Sequence, residues 1–174
     1  PYVFSLASGW PLRLTVAIVY AFLVLLQWPV LGKNFHWRNI FQVLFALIFG
    51  YFCDFSVWIL GGLGYSSYLG QLALLSVSVV LISFGVTLYV GAKLLPLPVE
   101  GLALALSSVI KKIKFPVFKI IIDASLVLSA AALSFIAFGT LEGVREGTVI
   151  SALAVGFIVK LLQKPLLPLI NKIC

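Results

Sequence analysis

The sequence predicts an all-α polytopic membrane protein, an inverted repeat of spanning helices with one broken or re-entrant half-helix per half. Three observations carry this reading. Of the 174 residues, 63% are hydrophobic and 10% charged, with a mean hydropathy of +1.21, which leaves too little polar surface for a soluble domain. Apolar runs of about 20 residues recur, and at ~1.5 Å per residue each matches the ~30 Å hydrocarbon core of a bilayer. One apolar stretch, residues 93–114 (KLLPLPVEGLALALSSVIKKIK), is interrupted by Pro96, Pro98 and Gly101, where a spanning helix would need unbroken backbone hydrogen bonding.

Taken in order, residues 1–8 form an apolar stub too short to span, closed by Gly9, Trp10 and Pro11. Residues 12–31 form the first span, with Arg13 at its edge and Trp10 and Trp28 near its ends as interfacial aromatics. A basic link, KNFHWR, leads into a second span over residues 40–60, which carries Asp54 and leaves through an uncharged GGLGYSS segment. The third span covers residues 68–92. In the broken element that follows, Pro98 is placed to open a helix reaching to about residue 110, because proline is tolerated in a first helical turn. A fourth span, residues 115–138, holds Lys119 and Asp123, and its AAALSF run offers small residues for close helix packing. After the charged link GTLEGVREGT, a last helix covers residues 147–162, and Lys160, Lys164 and Lys172 follow among prolines.

Lys and Arg concentrate on the cytoplasmic side of membrane proteins. With KNFHWR inside, residues 111–114 (KKIK) also stay inside if the broken element dips in and returns, the link holding Arg145 lies outside, and the C-terminus is cytoplasmic. The order half-helix, span, span occurs in residues 1–67 and again in residues 68–174, where a span precedes it, all within one membrane domain. NIFQVLFALIFG aligns with REGTVISALAVG, matching Val43, Ala46, Leu47 and Gly50 to Val149, Ala152, Leu153 and Gly156. Three crossings per half would give the halves opposite orientations, as in many transporters. The chain begins at Pro1 and contains no methionine. A preceding first span and internal methionines are therefore expected to be missing from it, an idea that an intact mass near 18.9 kDa would refute.

LPVEGLALALS, the IIIDASLVL run, GVREGTVISALAVG and FGYFCDFSVWIL together resemble the YczE/YyaS/YitT-like bacterial integral membrane proteins. The resemblance extends over essentially the whole chain, and the family's biochemical function is not settled. At the PxEG turn this sequence has Val99 where the family pattern has glycine. The resemblance implies a multi-pass protein of the bacterial cytoplasmic membrane.

Twelve Lys+Arg against five Asp+Glu give +7, which in such a chain marks cytoplasmic loops rather than a nucleic-acid partner. Cys53 and Cys174 form no metal or disulfide pattern, and one histidine, His36, makes no metal cluster. No HExxH, GxSxG, P-loop or Cys/His pairing is present, so neither an enzyme nor a cofactor is expected. Intramembrane acids are costly to insert and are therefore the functional candidates. Glu100 either binds substrate or complements the dipole of its own helix. Asp123 either joins it or pairs with Lys119 one turn earlier, and Asp54 either joins them or ties helices together. Arg145 and Glu146 either reach an anionic ligand group or form a charged loop and a helix start. The leading reading is a small-solute transporter, for a cationic or amine-bearing solute or coupled to protons, with a midplane site between the halves. The alternatives are a non-transporting scaffold or regulatory subunit, or the substrate-binding subunit of a larger transport complex. Partners are the lipid bilayer, a solute, and a homo-oligomer or larger assembly.

Overall fold

The computed structural model describes residues 1–60 and 67–173; the uncharged link of residues 61–66 and Cys174 lie outside them. The described residues form seven α-helices and no strand: α1 (Tyr2–Ser8), α2 (Leu12–Leu31), α3 (Phe41–Leu60), α4 (Tyr68–Gly91), α5 (Pro98–Val109), α6 (Phe115–Phe138) and α7 (Glu146–Ile173). The chain is thus an all-α polytopic membrane protein, with five helices, α2, α3, α4, α6 and α7, long and apolar enough to cross a bilayer. The stub is the seven-residue α1, ended by Gly9 in the left-handed conformation (φ 71°). The link KNFHWR folds as two 3-10 turns, Gly32–Asn34 and Trp37–Ile40.

Most apolar side chains face outward, as a lipid-embedded bundle requires. On α3 the buried residues are Gln42, Ala46 and Gly50, a single stripe at four-residue spacing, while Leu44, Phe45, Phe52 and Trp58 are exposed. That stripe meets α2. A side chain at Gly50 would stand 3.1 Å from the Arg13 Cα, so glycine is what lets the two backbones approach. Helices α4 and α7 run parallel: Gly147 faces Leu75, the Ser83 hydroxyl donates to the Val155 carbonyl at 3.4 Å, and Gly91 faces Ile170. Helix α6 runs antiparallel to α7, since Pro116 and Ile120 meet Gly156 while Val127 lies beside Thr148. Each short helix bridges two spans. Both α1 and α5 contact α2 and α6, and α5 also touches α3.

Two expectations are corrected. The last helix does not stop at residue 162 but continues through Pro165 and Pro168 to Ile173. Proline removes one backbone donor, and membrane helices tolerate this because neighbouring helices re-satisfy the freed carbonyl. The AAALSF run does not form a tight helix seam: Ala132 is exposed, and Ala130 and Leu133 line a cavity of about 410 Å³ shared with α1. Ser134 instead fastens the following link, accepting from the Glu142 amide at 2.6 Å and donating to the carbonyls of Glu142 and Thr140.

Candidate functional site

The site is built on the first turn of α5. Leu97 is extended (φ −65°, ψ 156°), Pro98 occupies the first helical position, and the Gly101 amide donates to the Leu97 carbonyl at 2.7 Å, closing the first turn. Twelve residues give a helix of about 18 Å, well short of the hydrocarbon thickness. Its start is buried from Pro98 through Ala103. Glu100 is therefore held inside the bundle, 5% exposed, by a helix that cannot itself cross.

Lys119, 6% exposed on α6, stands between two acids. Its Nζ donates to both Asp123 oxygens at 2.9 and 2.7 Å and lies 3.1 Å from Glu100 Oε1. The spacing i, i+4 brings Lys119 and Asp123 onto one helix face, and packing of α5 on α6 supplies Glu100. The second Glu100 oxygen, Oε2, and the Tyr89 hydroxyl of α4 are both buried, and Tyr89 faces Glu100 as a donor whose geometry falls short of a well-formed hydrogen bond. Tyr89 and Tyr20 of α2 lie in the electrostatic field of both acids. Beside the cluster a cavity of about 270 Å³ is lined by Lys119, Asp123, Thr148 and Ser151 with Ile82 and Val155, reaching from the first turn of α7 toward the middle of its spanning part.

A second polar group locks α5 from the other side. Gln27 of α2 and Gln42 of α3, 1% and 2% exposed, exchange amide hydrogen bonds at 2.9 and 3.2 Å, and Gln27 also donates to the Pro98 carbonyl at 3.2 Å. Both lie against Gly101, where an added Cβ would stand 2.5 Å from Gln42 Oε1 and 2.8 Å from Gln27 Nε2. Gly101→Ala should therefore split the amide pair and lower stability by about 1–3 kcal/mol, the usual cost of overpacking. In a Gln27→Ala/Gln42→Ala background the same change should cost much less. Equal costs in the two backgrounds, read from melting temperatures, would dissociate Gly101 from the pair.

Of the residues singled out from sequence, Glu100 and Asp123 come together through Lys119. Asp54 does not join them. It pairs with Arg13 at 3.2 Å, and the Arg13 guanidinium also sits 5.9 Å from the centre of the Tyr51 ring. Arg13 and Gln27 are roughly 21 Å apart along α2, so Asp54 ties α3 to α2 at the far end. Arg145 and Glu146 are exposed and line a separate cavity of about 160 Å³ where α4 and α7 begin, beside Tyr68 and Gln71. No group of three or more His, Cys, Asp or Glu among the described residues could hold a metal.

Residues 1–164 match a family described as a family of unknown function, DUF6198. The chain belongs to that family. No curated protein and no solved structure matches this DUF6198 chain. Sequence reasoning missed Gln27, Gln42 and Tyr89, and took Lys119 only as a partner for Asp123. A usable signal existed for the glutamines, since each is an amide within an otherwise apolar span and such groups turn toward protein rather than lipid.

Proposed function

We propose that the protein is a small-solute transporter whose Glu100–Lys119–Asp123 cluster takes up one cation or proton as part of the transport cycle. The observation that carries this is a charge count in a buried place: two carboxyl groups share one ammonium, so the fully ionised cluster holds one uncompensated negative charge. Structural ion pairs inside a bundle normally close to neutrality, because an unpaired charge there is expensive. Glu100 Oε2, buried on the Tyr89 side of the cluster, is the carboxylate oxygen that Lys119 does not meet.

The proposed frame is an inverted repeat in which α1, α2 and α3 answer to α5, α6 and α7, and α5 re-enters the membrane from one face. Three features support it. Helices α4 and α7 are parallel while α6 opposes α7, and each short helix rests on the same two spans, α2 and α6. The start of α5 also lies at a buried interface between the would-be halves, where transporters of this plan bind their ions and substrates. Membership of the bacterial cytoplasmic membrane, with the basic turns and C-terminus inside, belongs to the same proposal. The competing scaffold reading, or that of a subunit in a larger transport complex, draws on the fact that Arg13 and Asp54, and Lys119 and Asp123, already satisfy one another.

The test is uptake of methylamine, putrescine and choline into proteoliposomes under an imposed proton or sodium gradient, with direct recording of proton flux. Transport predicts solute or proton movement above empty vesicles that collapses with the gradient. Absence of both from well-folded protein, under every gradient, would leave the scaffold or subunit reading standing.

A further inference from the structure

A cavity of about 560 Å³ lies between α2 and α3 at the end where the two 3-10 turns join them, walled by Ala21, Leu25, Trp28, Phe35, Trp37 and Val43. Its size falls within the ~300–1,000 Å³ of small-molecule sites, and its lining carries no charged side chain. The turns that close this end are basic. Lys33 and Arg38 flank Phe35 and Trp37 in sequence, both are exposed, and neither takes part in an ion pair among the described residues. The turns contain no acid, and His36 holds its loop by an Nδ1 contact with the Asn34 carbonyl at 2.8 Å. The mouth carries two strongly exposed indoles, Trp28 and Trp37, the side chains that settle at headgroup level.

We propose that this groove binds an anionic phospholipid, one acyl chain lying between α2 and α3 and its phosphate held by Lys33 and Arg38. Apolar walls suit an acyl chain, exposed indoles suit the interface, and the two cations in the turns that join α2 to α3 suit a phosphate. It is independent of whether the protein transports anything, because the groove is separate from the Glu100 cluster.

The experiment is native mass spectrometry of the protein released from mixed micelles of phosphatidylglycerol and phosphatidylcholine with identical chains. Each Lys or Arg near an anionic surface contributes on the order of a five-fold preference, so two give about 25-fold in favour of phosphatidylglycerol. Lys33→Gln/Arg38→Gln should bring retention of the two lipids toward parity. Ala21→Trp should fill the groove and remove both, and Val43→Phe serves the same purpose if that variant does not fold. Equal retention of the two lipids by the unaltered protein overturns the proposal. So does a preference that survives Lys33→Gln/Arg38→Gln, lipid retention that survives filling of the groove, or a protein dimer, free of lipid, that Ala21→Trp dissociates.

Discussion

Lys119→Ala should destabilise the protein by roughly 3–5 kcal/mol, the cost of removing one partner from a buried ion pair. For a chain of this size that corresponds to a fall of about 6–20 °C in melting temperature. The reason is not the loss of an attraction alone. Without the ammonium, Glu100 Oε1 and both Asp123 oxygens lose their cation while the packing of α5 on α6 still holds the two carboxyl groups inside the bundle. Replacing all three groups by neutral ones, as Lys119→Met/Glu100→Gln/Asp123→Asn, should recover most of the loss, since well-packed neutral groups often match a buried ion pair in stability. A Lys119→Ala protein melting within about 1 kcal/mol of the unaltered one would show that the cluster is solvated rather than buried, and would remove the charge count on which the functional reading rests.

The helices were legible because hydrophobic run length is a local property. Spans at residues 12–31 and 115–138 coincide with α2 and α6, and Pro98 opens α5 as its fixed φ dictates. The end of α7 was not legible: a lysine- and proline-rich tail reads as a stop, whereas Pro165 and Pro168 sit inside a continuing helix. The site was half legible. Glu100 and Asp123 are visible as acids in apolar sequence, and the i, i+4 rule supplies the Lys119–Asp123 contact, but the Lys119–Glu100 contact depends on how α5 crosses α6 and has no local signature. Asp54 illustrates the converse. In sequence it is an intramembrane acid like the others, and only the packing of α3 on α2 reveals Arg13 beside it and the distance that separates it from Glu100.

Glu100→Gln should reduce uptake about 10- to 100-fold while leaving the fold intact. The amide keeps the shape of the carboxylate, so its oxygen can still face Lys119 and its NH₂ can turn to the Tyr89 hydroxyl, which already faces Glu100. The change is electrostatic: Lys119 is then balanced by Asp123 alone, the cluster is neutral, and no charge remains to draw in a cation or proton. Hydrogen bonds to charged groups contribute ~1.5–3 kcal/mol, which sets the size of the expected loss. If Glu100 serves only its own helix, through the favourable placement of a carboxylate near the free N–H groups of the first turn, the change should cost about 0.3–1 kcal/mol of stability and nothing in flux. Uptake and melting temperature measured on both proteins distinguish these outcomes. Flux in the unaltered protein with full retention in Glu100→Gln would keep transport and discard Glu100 as its charged group, whereas no flux in either protein would discard transport itself.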